Sequence, residues 1–213
     1  MNKIAIFGAS GFALEVADIC HSLGIKDIVL LSNGESLLTE VNQLPIRPET
    51  DVNLLHSEGY SFAIGIGDSA IRRKIFDRYK KLNFPNIIHP SAIFGLNQET
   101  AFEKQKGNIV TAGVIFTNSI KVNDFGLYNL KVTIGHDCII DDFVSIMPNV
   151  TVSGNVHIKE NVFIGVSATI LRGSPDNKMT IGSGSKVGAN SLVTKNVIDN
   201  VTVFGTPAKK LRL

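Results

Sequence analysis

An apolar residue returns at every sixth position from Val110 to Ile170: Val110, Phe116, Val122, Tyr128, Ile134, Ile140, Ile146, Val152, Ile158, Ile164 and Ile170. A helix would show a period near 3.6 and a half-buried strand strict alternation, so neither accounts for it. A second, mostly small or branched residue follows four places later, as at Val114, Ile120, Val132, Cys138, Val144 and Val150. This is the pattern of a solenoid, with each hexad giving one short strand and one corner. Three hexads close a coil, and stacked coils bury a continuous column of Val and Ile. The spacing begins near Ile87 and Ile93. A polar run over 96–108 is expected to loop out without disturbing the stack, and a second excursion is expected over 171–180, because Ile181 follows Ile170 by eleven residues. Hexads then resume at Ile181, Val187 and Val193.

The first 85 residues are patterned differently. Residues 3–8 predict a buried parallel strand that runs into Gly8-Ala9-Ser10-Gly11 and an amphipathic helix over 14–23, followed by a second strand over 27–31. Another apolar strand over 61–66 ends in Gly65-Ile66-Gly67-Asp68, and a helix rich in Arg and Lys is expected over 70–82. Glycine turns at the carboxyl edge of a parallel sheet let a ligand approach the backbone, and helix N-termini there attract phosphate. A dinucleotide site is disfavoured: the spacing is Gly-x-x-Gly, Ala13 takes the third glycine's place, and Ser32-Asn33 stand where a ribose-binding acid is needed. Arg72, in the first turn after Gly67-Asp68, is a candidate phosphate ligand; otherwise it is a solvated helix-surface cation. The expected organisation is therefore an α/β unit with a small Rossmann-like parallel sheet over 1–85 and a parallel β-helix over 86–213.

Composition narrows the partners. Formal net charge is +2 with acids and bases interspersed, so no basic face for nucleic acid is expected. No apolar run is long enough for a signal peptide or a membrane span, and a cytoplasmic location is expected. Cys20 and Cys138, in a predicted helix and at an inward repeat position, are expected to be reduced structural thiols.

Residues 18 apart should lie one above another, and this places His136. Asn118 lies below it, Gly154 one coil above and Arg172 a further coil on, all two places after an inward residue. His136 is then on an outer corner with Asp137 beside it. That is either a solvated corner histidine or a base next to an accessible backbone N–H, which is what acyl transfer requires. Zinc is disfavoured, since His157 is 21 residues from His136 and out of register, and no metal site is expected. His89, before Pro90, reads as structural.

The hexads around Ile134-Gly135-His136-Asp137, Ile164-Gly165-Val166 and Val187-Gly188-Ala189, with the ending Val203-Phe204-Gly205-Thr206-Pro207-Ala208-Lys209, resemble the left-handed β-helix acyltransferases of the hexapeptide-repeat superfamily. The N-terminal stretches 8–16 and 66–72 resemble the branch containing sialic acid O-acetyltransferases and N-acetyltransferases of nucleotide-linked 4-amino-4,6-dideoxy sugars. The resemblance implies a left-handed helix, a homotrimer, and acetyl-CoA as co-substrate in a groove between neighbouring β-helices. It implies His136 as general base, Asp137 as its acidic partner, and Gly154 as the donor facing the thioester carbonyl. Gly165, Val166, Gly188, Ala189, Lys195, Pro207 and Ala208 would line the coenzyme groove, and Gly8, Ser10, Gly11, Gly67, Asp68 and Arg72 the nucleotide-sugar pocket. Relatives often differ at Phe12, Ala13 and Ser32-Asn33, so base and sugar contacts are open.

The expected reaction is direct attack of the sugar 4-amino group on acetyl-CoA, with Cys138 facing inward and taking no part. O-acetylation of a sugar hydroxyl would use the same residues, and a non-catalytic nucleotide-sugar-binding subunit is the rival from another class. A serine O-acetyltransferase would leave the N-terminal unit unexplained.

Overall fold

The computed structural model describes residues 1–34 and 39–211. The N-terminal unit is a five-stranded sheet of order β3-β4-β2-β1-β5, with β1 Lys3–Phe7, β2 Asp27–Ser32, β3 Glu40–Val41, β4 Leu44–Pro48 and β5 Ser61–Ile64. Strands β4, β2, β1 and β5 are parallel, and β3 pairs antiparallel with β4. The near-continuous apolar runs of β1 and β2 are those of strands covered on both faces. One face carries α1 (Phe12–Ser22), while α2 (Val52–Ser57) and α3 (Ser69–Arg78) are the other helices. Helix α1 starts two residues before the expected position, because Gly11 (φ 42°) turns the chain at its N-cap. Strand β4 carries Pro45 and Pro48, residues that a sheet interior excludes, and Pro48 pairs with Ser32 at the ends of β4 and β2.

From Ile87 the chain winds into a left-handed parallel β-helix. Its faces are a four-stranded sheet starting at Lys121–Val122, an eight-stranded sheet starting at Ile87–Ile88, and a six-stranded sheet starting at Ile93–Phe94. The 18-residue rise is observed directly: Val122 pairs with Ile140, Ile134 with Val152, and Ile146 with Ile164. Across the excursion the rise is 23, with Ile158 beside Ile181 and Ile170 beside Val193, and in the last coil it is 16, with Val187 beside Val203. The inward residues from Val110 to Val203 form one core, mostly at zero exposure. Burying each such side chain contributes about 1.5–3 kcal/mol.

The corners follow a rule the hydrophobic pattern did not reveal. Every sixth residue from Ser119 to Ser167 is left-handed, with φ between 57° and 59°. Asn149, Asn155, Asn161 and Asp137 suit that conformation, whereas Phe125 and Phe143 are bulky residues that seldom adopt it.

The expectation for 96–108 needs correction. Rather than looping away, Gln98–Phe102 forms a short 3-10 helix that closes the end of the coil. Phe102 packs edge-on against Phe116 at 5.1 Å, and the Gln98 amide bonds both N–H and C=O of Ile120. A side-chain amide here replaces a missing strand, which is why a polar residue is buried. No helix among the described residues is long and apolar enough to cross a membrane.

The two units share packing. Helix α1 covers Ile87, Ile109 and Leu127 of the eight-stranded face, and Phe125 and Phe143 join the aromatic cluster of Phe7, Phe62 and Phe84.

Candidate acyl-transfer and nucleotide-binding sites

His136 stands at the corner after Thr133–Ile134. Its Nδ1 is 2.7 Å from Asp137 Oδ2, and both side chains are substantially exposed, at 61% and 48%. Asp137 occupies a left-handed corner position (φ 59°), so the turn itself swings its carboxylate beside the ring. With Nδ1–H donated to the carboxylate, Nε2 keeps its lone pair free. The coil above supplies the seat. A Cβ on Gly154 would lie 2.5 Å from Nε2 and 2.6 Å from Cε1, so the imidazole occupies the space that any side chain at 154 would fill. The His136 carbonyl accepts from Asn155 N–H at 2.8 Å, fixing the two coils at this point.

The excursion over 171–178 folds back onto this corner, where Lys178 Nζ donates to the Asp137 carbonyl at 2.5 Å. Because Ile170 pairs with Val193, the residue above Arg172 is Lys195. Arg172, Lys178 and Lys195 surround an open hollow of about 430 Å³ with Gly173, Asn177 and Asn196. The column at this corner is thus Asn118, His136, Gly154, Arg172 and Lys195.

The other expected coenzyme residues lie elsewhere. Gly165 stacks on Gly188-Ala189, where a Cβ would come within 2.7 Å of Ala189 N, and Gly188 stacks beneath Phe204. Val166 is exposed and accepts from Asn190 N–H. Ala208 donates its N–H to the Leu192 carbonyl after the cis Thr206–Pro207 bond. Lys195 is therefore separated from Gly165, Val166, Gly188 and Ala189 by the six-stranded face, whose outer side presents Thr133, Thr151 and Thr169.

Cys138 is buried, its Sγ donates to the Ser153 carbonyl, and burial pushes its thiol up to about 11. His157 pairs with Asp141 at 2.9 Å, and no group of three metal-ligating side chains occurs among the described residues. His89 accepts from Ser91 N–H within its own turn.

A cavity of about 880 Å³ opens at the carboxyl edge of the N-terminal sheet. Gly8, Ser10 and Gly11 line it, with Ser32 and Asn33 at the end of β2 and Gly65–Gly67 at the end of β5. Gly8 (φ 114°) turns the chain, and Gly11 caps α1 without a side-chain acceptor, the arrangement that suits a phosphate. Helix α3 forms a wall with Ile71, Lys74, Ile75 and Arg78, one stripe of the helix. Arg78 and Tyr79 both donate to Glu49, which also faces the cavity. Gly65, Lys74 and Glu49 were missed from sequence. The Gly65-x-Gly67 spacing was a usable signal for the first: a Cβ there would stand 2.6 Å from Ala13 Cα.

Two expected pocket residues are corrected. Asp68 caps α3, accepting from Ile71 N–H at 2.9 Å, and does not line the cavity. Arg72 is 1% exposed and its guanidinium points away, into the junction with the β-helix. It donates to the Gly67 carbonyl at 2.8 Å, to Ser145 Oγ at 3.0 Å, and to the Phe143 and Val144 carbonyls at 3.1 Å. A cation four residues after the cap reads as surface until the coils that bury it are known.

Residues 3–79 match the family described as the PglD N-terminal domain. A GDP-perosamine N-acetyltransferase of Escherichia coli O157:H7 is 33% identical over 106 residues, half of this chain; the match spans only 48% of that enzyme's length. The acetyltransferase domain of PglB from Neisseria gonorrhoeae FA1090, solved in complex with acetyl coenzyme A, is 30% identical with a TM-score of 0.84, covering 99% of both chains. PerB from Caulobacter crescentus, solved in complex with CoA and GDP-perosamine, is 25% identical with a TM-score of 0.85, covering 100% of this chain and 98% of that one.

Proposed function

Because the chain belongs to the hexapeptide-repeat acetyltransferases of the nucleotide-sugar branch, acetyl-CoA-dependent enzymes, we propose that it acetylates the 4-amino group of a nucleotide-linked 4-amino-4,6-dideoxy sugar. The observation that carries this reading is the imidazole of His136, held by Asp137 at Nδ1 and seated against Gly154. It is supported by the sugar named for the E. coli relative and the ligands bound to PerB.

The nucleotide lies in the cavity at Gly8–Gly11 and Gly65–Gly67, and acetyl-CoA lies along the β-helix between subunits of a homotrimer. Gly165, Val166, Gly188, Ala189, Pro207 and Ala208 line one side of that groove, and Lys195 stands near the reacting end of the His136 column. The amine nitrogen attacks the thioester carbon and forms the amide bond. His136 Nε2 takes the nitrogen's proton, the Gly154 N–H steadies the oxyanion, and the C–S bond breaks. The coenzyme leaves as its thiolate and recovers a proton from the imidazolium. General-base help of this kind is worth about 10² to 10⁴ in rate. Cys138, buried and with a raised pKa, forms no acyl intermediate.

The test is thiol release from acetyl-CoA with UDP-, dTDP- and GDP-linked 4-amino sugars and their 4-hydroxy counterparts. Release is expected with an amino sugar. Release with the hydroxy sugars alone would make the enzyme an O-acetyltransferase, and no release together with no binding of acetyl-CoA in calorimetry would make the chain a binding subunit.

A further inference from the structure

Helix α3 has two working faces. Ile71, Lys74, Ile75 and Arg78 face the nucleotide cavity, while Arg72, Arg73 and Phe76 face the β-helix. The corners it meets are the anomalous ones. Phe125 and Phe143, both left-handed at φ 57°, stack at 4.9 Å with their rings 7° from parallel. Phe76 packs 4.5 Å from Phe125, and the Arg73 guanidinium lies 4.2 Å over Phe143 while pairing with Glu160.

Between these rings Arg72 reaches the backbone. Its Nη2 donates to the carbonyls of Phe125, Phe143 and Val144, which belong to two successive coils. Its Nη1 donates to the carbonyls of Ile66 and Gly67, on the cavity side, and to Ser145 Oγ. Ser145 in turn donates to the Gly67 carbonyl at 3.0 Å. That serine is 1% exposed and stands in a ladder where the coils below and above carry Leu127 and Phe163.

No carboxylate forms an ion pair with Arg72 among the described residues; Asp68 is the acid whose charge acts on it. Burial lowers its pKa to about 10, which leaves it charged near neutral pH. Burying a cation among neutral acceptors is costly, and well-packed apolar residues hold two surfaces together at least as well. What an apolar residue cannot do is fix carbonyls from three segments at one point, which the planar fork of a guanidinium does.

We propose that Arg72 is a positioning residue: with Ser145 it locks the Gly65–Gly67 wall of the nucleotide cavity to the β-helix and so sets where the nucleotide-linked substrate stands relative to the coils. This rests on the nucleotide-sugar reading of the cavity.

Arg72→Gln, Arg72→Lys and Ser145→Ala, each checked for folding by circular dichroism, would be compared with the wild type in two assays. In steady-state kinetics each variant is expected to raise KM for the nucleotide sugar about tenfold while KM for acetyl-CoA stays within about twofold. Arg72→Lys keeps the charge but not the fork and is expected not to restore KM. In calorimetry with UDP, dTDP and GDP, the nucleotide that binds the wild type is expected to bind the variants about tenfold more weakly. Ser145→Ala keeps the cation and serves if the Arg72 variants do not fold. Unchanged affinity for both nucleotide and nucleotide sugar in a folded variant, or equal loss for both substrates, would overturn the proposal. A wild type that binds a nucleotide but acetylates no amino sugar contradicts the functional reading alone, because calorimetry still decides the role of Arg72. A wild type that binds none of the three nucleotides and releases no thiol with any of their amino sugars overturns both.

Discussion

The β-helix and the N-terminal α/β unit build their sites by opposite means. In the β-helix a residue's neighbours are its own sequence displaced by 18, so His136 and Gly154 meet because the repeat makes them meet. In the α/β unit the cavity is assembled from the ends of three strands and one face of α3, and no fixed interval relates Gly8, Ser32, Gly65 and Lys74. A repeat converts a position into a place; a mixed sheet does so only after its strand order is known. The two designs should also fail differently. Damage to the column should act on turnover or on the stability of many coils, and damage to the cavity should act on the binding of one substrate.

Ile146→Ala tests the shared core first. The residue is fully buried in the column, and a cavity of that size costs about 2–5 kcal/mol. Denaturant unfolding should show the loss, and a change below about 0.5 kcal/mol would mean the coils do not depend on continuous packing. Gly154→Ala should act on chemistry alone. Its Cβ displaces the imidazole rather than the backbone, and a misplacement near 1 Å is worth about 10² in rate. The expected result is a lower kcat with both KM values preserved. Gly65→Ala is the counterpart in the other unit, where a Cβ must push the start of α1 away from β5. It is expected to raise KM for the nucleotide sugar about tenfold and leave kcat near wild type. If Gly65→Ala lowered kcat, or Gly154→Ala raised KM for the sugar, the division of labour between the two units would not hold.

How much was legible follows the same division. The period of six led to three-sided coils, inward Cys138, and His136 beneath Gly154. Its interval of 18 does not hold across the two interruptions or in the last coil, where the rise is 22, 23 and 16; the second interruption puts Lys195 above Arg172, on a different corner from Gly165 and Gly188, with which the family resemblance grouped it. The left-handed corners escaped notice because φ leaves no hydrophobic trace, although the recurrence of Asn at 149, 155 and 161 was a clue. Gln98 read as loop because a buried amide that imitates a strand looks like any polar residue in sequence. Arg72 was misplaced for a stronger reason: besides the nearby Ile66 and Gly67 carbonyls, its acceptors lie 53 to 73 residues further along the chain. Local pattern could place it on a helix but not say which face would be covered. The strand, glycine and helix order of the N-terminal unit was recovered, whereas the β3–β4 hairpin was hidden by its prolines.

The central claim is that the corner column at His136 performs the transfer. Its most direct test is the turnover of purified His136→Ala with acetyl-CoA and the preferred nucleotide-linked amino sugar. The ring is exposed and its loss removes no core contact, so the variant should fold and bind both substrates. The account predicts a fall in kcat of about 10² to 10⁴ with nucleotide-sugar KM little changed. Near wild-type turnover would contradict it.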